Sequence, residues 1–157
     1  MIRIGLGFDT HKLSSGRELI LGSIPIPHTC GCVGHSDADV LIHAICDALL
    51  GAANLRDIGF HFPDTDPKYK NINSLILLKE THRLIAEKDW KIENIDTTIV
   101  LQEPKIQNYI PQMQNALSGM LNIAEDCLSI KAKTSEKLGF IGRKEGISVY
   151  AVALLSK

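Results

Sequence analysis

The order in which strand-like and helix-like segments alternate limits the fold of this chain more than any other feature. Alternating apolar and polar residues predict strands, and apolar residues at helical spacing predict helices. Strands are predicted over 2–9, 19–26, 92–101, 128–132 and 147–155, and helices over 37–53, 74–88 and 110–121. Pairing of the first two strands as a hairpin, followed by helical crossovers, favours an α+β fold. We expect a mixed β-sheet with helices packed on one face, in a ferredoxin-like arrangement.

A doubly wound parallel sheet is disfavoured, because Gly5 and Gly7 lie within the first predicted strand and not in a glycine-rich turn that opens a helix. The first helix is predicted to begin near Ser36, a favoured N-cap, with Asp39 three residues later. The backbone N–H groups around His35 and Ser36 are then expected to form an anion site. Segment 54–72 has no sustained period and predicts a long functional loop.

Length and charge exclude several classes of protein. A chain of 157 residues fits a single domain, expected here to span 1–157. A net charge of −1 offers no bulk attraction to nucleic acid or to an anionic membrane. The chain passes directly from Met1 into strand-like sequence without a basic and apolar leader, so we expect a cytoplasmic protein. Its four cysteines are then expected to be free thiols.

Asp9, His11 and His43 are candidate ligands of a divalent metal ion. Asp9 and His11 leave the same face of a strand end, and His43 lies on the otherwise apolar face of the first helix. Each residue alone also fits a structural role. A ligating imidazole usually donates its other N–H group to a carboxylate, and Asp39 and Asp47 each stand one helical turn from His43. Two imidazoles and one carboxylate leave a fourth position open, as a catalytic zinc site requires.

Two other clusters compete with this interpretation. His28, Cys30, Cys32 and His35 hold four potential zinc ligands, but their spacing differs from that of zinc ribbons and fingers. Segment 131–143 gathers cations, hydroxyl groups and glycines after a strand. It is typical of an anion-binding turn, although it lacks the P-loop spacing.

Several longer motifs run along the whole chain. They are Gly7-Phe8-Asp9-Thr10-His11, Gly34-His35-Ser36-Asp37-Ala38-Asp39, Asp47-Ala48-Leu49-Leu50-Gly51-Ala52, Asp57-Ile58-Gly59, His61-Phe62-Pro63-Asp64-Thr65-Asp66-Pro67, Pro104-Lys105, Glu136-Lys137-Leu138-Gly139-Phe140 and Gly142-Arg143. With these motifs the chain resembles the 2-C-methyl-D-erythritol 2,4-cyclodiphosphate synthase family.

The resemblance implies a phosphorus–oxygen lyase of the non-mevalonate isoprenoid pathway. Its substrate would be 4-diphosphocytidyl-2-C-methyl-D-erythritol 2-phosphate, whose 2-phosphate attacks its own β-phosphate and expels CMP. It further implies a homotrimer with active sites between subunits, zinc on Asp9, His11 and His43, and a second divalent ion, Mg²⁺ or Mn²⁺, held with the help of Glu136. His35 and Thr134 would contact the transition state.

The resemblance also implies a set of substrate-binding residues. They are Ser36, Asp57, Gly59, Phe62, Pro63, Asp64, Thr65, Asp66, Lys105, Lys133, Ser135, Phe140 and Arg143. Departures from the family pattern include Arg56 and Phe60 beside the predicted loop, and none removes a proposed metal ligand. A zinc phosphohydrolase that uses the same triad, and a non-catalytic metal-binding module, remain alternatives from the residues alone.

Overall fold

A mixed sheet of five strands organises the chain in the computed structural model, which describes residues 1–157. The chain has seven strands, five in this sheet and two in a separate small sheet. They are β1 Ile2–Ser15, β2 Leu19–Leu21, β3 Ile24–Ile26, β4 Cys30–Cys32, β5 Lys91–Val100, β6 Leu128–Lys133 and β7 Gly146–Ser156. The helices are α1 Val40–Ala52, α2 Ile58–His61, α3 Ser74–Ala86, α4 Ile110–Leu121 and α5 Gly139–Gly142, with 3-10 turns at Pro67–Tyr69, Gln107–Tyr109 and Glu125–Cys127. The strand order is β4-β1-β7-β5-β6, and β2 pairs only with β3.

The α+β class is confirmed, but the ferredoxin-like arrangement is wrong. A ferredoxin-like chain runs β-α-β-β-α-β. Here α4 lies between β5 and β6, and these two strands are parallel. Parallel neighbours require a crossover connection, which α4 supplies, whereas β1, β7 and β5 pair antiparallel.

The predicted hairpin between the first two strands is also wrong. β1 pairs along 2–12 with β7, from the far end of the chain, and its last residues pair with β4. Segment 19–26 folds on itself instead, with β2 and β3 joined through Gly22 and Ser23. Both of these residues have positive φ, as a tight two-residue hairpin turn demands.

Helix α1 begins later than predicted, at Val40, and its N-cap is Asp39. The buried Asp39 carboxylate accepts hydrogen bonds from the backbone N–H groups of Ile42 (3.2 Å), Gly22 (3.0 Å) and Ser23 (2.7 Å). The N–H group of Asp37 donates to the carbonyl of Ile72. The helix end itself is therefore not a free anion site, because a carboxylate of the chain occupies it and the Asp37 N–H group is already bonded.

Helix α1 is buried on nearly all sides because it lies between the sheet and α3. Apolar side chains of the opposite sheet face remain exposed. They are Ile2, Ile4, Leu6 and Phe8 of β1 and Tyr150 and Val152 of β7. The helices thus pack on one face, as predicted. None of them combines the length and the apolar character needed to span a bilayer.

Candidate metal and substrate site

The side chains of Asp9, His11 and His43 converge where β1 packs against α1. Asp9 Oδ2 lies 2.9 Å from His11 Nε2 and 3.1 Å from His43 Nδ1, and the two ring nitrogens are 3.3 Å apart. Ligands of a tetrahedral zinc ion lie about 3.3–3.5 Å from one another, given bonds of about 2.0–2.1 Å. The three donor atoms fit a small divalent ion, and the predicted triad is brought together.

Two glycines allow this approach. A Cβ at Gly7 would come within 1.9 Å of the Ala44 carbonyl oxygen, so α1 rests directly on the strand backbone beside His43. A Cβ at Gly34 would come within 2.9 Å of the His11 ring. Only glycine permits such close contacts, and both positions belong to the motifs quoted above.

Asp9 and His11 shift each other's pKa. Burial alone would raise the pKa of Asp9, but hydrogen bonds and charges from His11 and His43 outweigh it and hold that pKa well below its usual range. Burial would lower the pKa of His11, yet the Asp9 carboxylate raises it above its ordinary value. A proton at His11 and a metal ion therefore compete for the same lone pair.

The other nitrogen of each imidazole has its own partner. His11 Nδ1 lies 2.9 Å from the carbonyl oxygen of Val33. His43 Nε2 lies 3.0 Å from Ser74 Oγ and 3.1 Å from Ser36 Oγ. The prediction that Asp39 or Asp47 receives the His43 N–H group is wrong. Asp39 caps α1, and Asp47 accepts from the backbone N–H group of Ile58 at 2.8 Å.

The competing zinc cluster does not form. Asp9, His11 and His43 are the only group of three or more metal-ligating side chains whose donor atoms converge in residues 1–157. Cys30 and Cys32 belong to β4, and burial raises the pKa of the Cys32 thiol to about 12. A thiol with that pKa stays protonated near neutrality and is a poor zinc ligand.

A cavity of about 470 Å³ opens beside the triad. His35 and Ser36 line one side of it, and α2 with the following loop lines the other. The predicted residues in its wall are His11, His35, Ser36, His43, Gly59, Phe62, Pro63, Asp64 and Thr65. The sequence prediction did not name four further wall residues, Ile58, Tyr69, Ile72 and Leu77, although the first three lie in the segment 54–72 predicted to be a functional loop.

Two predicted aspartates do not line this cavity. The Asp57 carboxylate caps α2 by accepting from the N–H group of Phe60 at 2.8 Å, and Asp66 caps the 3-10 turn at Pro67–Tyr69.

Arg56 and Phe60, which depart from the family pattern, contact each other, since the Arg56 guanidinium carbon lies 4.0 Å from the centroid of the Phe60 ring. The two unusual residues therefore stabilise each other at the start of the loop.

A second cavity, of about 220 Å³, lies at the end of β5 and β6. Lys105, Lys133 and Thr134 line it, together with Leu101, Gln102, Pro104, Ile106, Gln107 and Ala132. Thr134 Oγ1 donates to Glu136 at 2.9 Å, and Glu136 and Lys137 both have positive φ. Such backbone conformations in non-glycine residues cluster at functional sites.

The two cavities lie at the same end of the sheet but on different strands. Thr10 pairs with Ser148, Ser148 with Val100, and Val100 with Lys133. Three steps between neighbouring strands separate Thr10 from Lys133 by about 14 Å. Within one chain, the metal triad and the lysine-lined cavity are therefore separate.

Three further predicted residues lie in the segment after β6 and line neither cavity. Ser135 Oγ donates to the Leu138 carbonyl at 2.8 Å, and Phe140 packs over Gly146. Arg143 pairs with Glu145 through two hydrogen bonds of 2.9 and 3.0 Å, and both side chains are largely exposed. The structure does not bring these residues to the triad.

Comparison with known proteins decides the family. A family model described as the YgbB family matches residues 2–156. The chain belongs to the YgbB family. Two family relatives named 2-C-methyl-D-erythritol 2,4-cyclodiphosphate synthase come from Parabacteroides distasonis and Cytophaga hutchinsonii. They are 58% and 56% identical over 156 residues, which is 99% of this chain and 97% and 98% of theirs. The predicted family, and with it the prediction of an enzyme, is confirmed.

Solved structures in the family share the fold. The bifunctional IspDF of Campylobacter jejuni matches 99% of this chain with a TM-score of 0.95 and 44% identity, and the match covers 42% of the longer protein. IspF of Plasmodium falciparum, described as a CDP complex, matches 98% of this chain and 95% of its own with a TM-score of 0.87 and 39% identity.

Proposed function

We propose that this YgbB family enzyme converts 4-diphosphocytidyl-2-C-methyl-D-erythritol 2-phosphate into 2-C-methyl-D-erythritol 2,4-cyclodiphosphate and CMP, a step in non-mevalonate isoprenoid precursor synthesis. The observation that carries the proposal is the convergence of Asp9, His11 and His43 at a cavity that His35 also lines. The shared name of the relatives and the CDP complex of a structural relative support the same substrate class.

The chemistry needs positioning and charge neutralisation more than a strong base. An oxygen of the 2-phosphate forms a bond to the β-phosphorus, and the bond from that phosphorus to the bridging oxygen breaks, so that the oxygen leaves with CMP. A phosphate monoester is already an anionic nucleophile, so no residue has to deprotonate a water molecule. The protein must hold two anionic groups in line and stabilise the charge that develops.

The triad would hold zinc through Asp9 Oδ2, His11 Nε2 and His43 Nδ1. A bound divalent ion would act there as a Lewis acid toward phosphate oxygens. His35 and Ser36, in the same cavity wall, would orient the phosphate end of the substrate, and loop residues 62–65 would enclose the methylerythritol unit. Asp57 would bind its diol through the carboxylate oxygen that does not cap α2, once the substrate extends beyond the cavity wall, and Asp66 would shape the end of the enclosing loop.

The second cavity would bind the cytidine portion. Lys105 and Lys133 supply positive charge there, and Thr134 would contact the transferring phosphoryl group. Glu136, held by Thr134 Oγ1, would help to bind a second divalent ion, Mg²⁺ or Mn²⁺, at the diphosphate. Ser135, Phe140 and Arg143 would complete the nucleotide side.

The separation of the two cavities supports a homotrimer with active sites between subunits. A substrate that needs both cavities would draw the triad from one subunit and the lysines from its neighbour. The apolar side chains of Ile4, Leu6, Phe8 and Val152 form an exposed patch on the outer sheet face. Apolar patches of this kind on a soluble protein mark interfaces, and a second copy of the chain is the occupant that also completes the site.

Incubation with the cytidylyl substrate in H₂¹⁸O tests the proposal. We expect equimolar CMP and cyclic diphosphate, with no ¹⁸O in either product, because the nucleophile is a substrate oxygen. A linear diphosphate that carries ¹⁸O would identify a zinc phosphohydrolase instead. Zinc binding without turnover of the substrate would favour a non-catalytic metal-binding module.

A further inference from the structure

We propose that Ser74 and Asp37 are positioning residues that orient the His43 ring so that its Nδ1 atom faces the metal donors. This inference rests on the proposed function, because it assumes that the triad binds zinc. Ser74 is the first residue of α3 and is fully buried, while Asp37 lies in the segment that precedes α1. Neither residue is one of the triad, and Ser74 was not recognised from the sequence.

The hydrogen-bond directions in this chain of groups are determined by chemistry. The Asp37 carboxylate only accepts, and it receives both the Ser74 hydroxyl and the Ser74 backbone N–H group, the latter at 3.0 Å. The Ser74 hydroxyl proton is thereby committed to Asp37. Its oxygen, 3.0 Å from His43 Nε2, can then only accept, so this contact is a hydrogen bond only when Nε2 carries the proton.

An Nε2 proton leaves the lone pair of His43 on Nδ1. This is the nitrogen that lies 3.1 Å from Asp9 Oδ2 and 3.3 Å from His11 Nε2. A metal ligand needs a lone pair toward the ion, and partners of the other nitrogen select the tautomer. The arrangement is a carboxylate–hydroxyl–histidine chain, in which a serine stands between the carboxylate and the imidazole.

Backbone hydrogen bonds connect the segments that carry these groups. Asp37 N–H donates to the Ile72 carbonyl at 3.0 Å, and Asn71 N–H donates to the His35 carbonyl at 2.8 Å. These bonds join the segment before α1 to the end of the loop that lines the cavity. The loop end, α3 and the metal ligand are therefore held together through Ser74.

Ser36 is the competing partner for His43 Nε2, at 3.1 Å. The Ser36 hydroxyl oxygen already accepts the N–H group of Ala38 at 3.1 Å, and no carboxylate accepts its proton. Its proton can point either at His43 Nε2 or at Ser74 Oγ, 3.4 Å away, so Ser36 does not by itself determine the His43 tautomer. The proposal therefore predicts that substitution of Ser74 weakens zinc binding more than substitution of Ser36 does.

Zinc affinity of the full chain, measured by competition with a chromophoric chelator, tests the proposal. We expect Ser74→Ala to weaken zinc binding by about 10- to 100-fold, the usual cost of losing such a partner. Asp37→Asn should weaken it in the same direction, because an amide can donate to Ser74 Oγ and compete with His43. Ser74→Thr keeps the hydroxyl and should restore most of the affinity.

Ser118→Ala is the matched control, since Ser118 is a buried serine of α4 that donates to the Asn115 carbonyl and lies outside the site. It should bind zinc as the unaltered chain does. Thermal unfolding of the metal-free variants separates lost affinity from lost folding, and activity of Ser74→Ala should return as zinc is raised above its weakened Kd. Zinc affinity of Ser74→Ala equal to that of the unaltered chain, or a loss seen only in Ser36→Ala, would overturn the proposal.

The same measurements keep this inference apart from the proposed function. An unaltered chain that binds zinc but releases no CMP refutes the cyclase, while the ratio of zinc affinities still tests Ser74 and Asp37. An unaltered chain that releases CMP while Ser74→Ala keeps full zinc affinity refutes only the positioning role. No measurable zinc affinity in the unaltered chain would refute both.

Discussion

Gly7 of β1 lies against the carbonyl group of Ala44 in α1, so closely that a Cβ at residue 7 would come within 1.9 Å of that oxygen. Gly5 has the same relationship to Ala48 one helical turn later, at 2.0 Å. This contact determines the position of the His43 side chain. His43 directly precedes Ala44, so it is held within reach of Asp9. The distance between strand and helix is therefore a condition for the metal site.

The substitution Gly7→Ala should separate α1 from β1. Added atoms in a packed core cost about 1–3 kcal/mol of unfolding free energy, and backbone clashes lie at or above the upper end. We expect a loss of about 3 kcal/mol in urea unfolding, together with weaker zinc binding. Gly51→Ala is the control, because its Cβ would meet nothing within 4 Å, and it should stabilise the helix by about 0.5–1 kcal/mol. Unchanged stability in Gly7→Ala would contradict the described packing.

Removal of His43 should abolish stoichiometric zinc binding. His43→Ala leaves only Asp9 and His11 near the ion, and two protein ligands do not make a stable zinc site. Zinc content after dialysis, measured by mass spectrometry, should fall from about one ion per chain to a trace. Cys30→Ser is the control and should retain zinc, because the cluster around Cys30 does not converge. The reverse pattern would support the cysteine cluster.

Asp39 should make the metal-free protein more stable as the pH falls from 7 toward 4. Burial raises its pKa from 3.8 to about 6, although three backbone N–H groups oppose the shift. As the pH falls, the folded state takes up this proton at a higher pH than the unfolded state does. The contribution of Asp39 to the unfolding free energy therefore grows as the pH falls through 6 and becomes constant below 3.8. Asp39→Asn removes the titration.

The measurement is the unfolding free energy of the unaltered chain minus that of Asp39→Asn, taken at several pH values in urea. We expect this difference to rise by about 1–3 kcal/mol between pH 7 and pH 4. Subtraction cancels the titrating groups that do not interact with Asp39, so the pH dependence that remains belongs to Asp39 and its charged neighbours Asp37 and His11. A difference that stays constant over this range would show that the Asp39 carboxyl group keeps an ordinary pKa.

A charge on the outer sheet face should prevent the proposed trimer. Leu6 is 68% exposed and pairs with Val152 in the middle of the apolar patch. Leu6→Asp would place a carboxylate within the interface, where desolvation is costly, and should yield monomers without cyclase activity. Light scattering should give three times 17.3 kDa for the unaltered chain and 17.3 kDa for the variant. Ile76→Asp, at an exposed position of α3, should keep the trimer mass.

Glu136 should be needed for the second metal ion but not for zinc. Glu136→Gln keeps the size of the side chain and removes the charge that would attract the ion, so kcat should fall by about 100-fold or more. Zinc content should stay unchanged, because Glu136 belongs to the segment after β6. Glu18→Gln, at an exposed acidic residue of the turn after β1, should leave kcat unchanged. A normal kcat in Glu136→Gln would exclude the second-metal role.

Sequence reasoning succeeded where the signal was local. The helices at α3 and α4 and the later strands were located within two residues, because apolar spacing reports a buried face directly. The triad was also recognised, since residues two apart on a strand share a face. The start of α1 was misplaced, because Ser36 and Asp39 both satisfy the preference for an N-cap. Only the contacts with Gly22 and Ser23 select Asp39.

Errors arose where a residue's partner is distant in sequence. The alternating pattern of β1 shows that it is a strand, but not that it pairs with β7, which begins 131 residues after the end of β1. Ser74 lies 31 residues from His43, and nothing in its local sequence identifies it as a partner of an imidazole. Sequence alone determined the family, the metal-ligating residue types and most of the secondary structure, since these depend on side-chain chemistry and local spacing. The tertiary structure decided strand pairing, the occupied end of α1 and the Asp37–Ser74–His43 chain, because each depends on packing between distant segments.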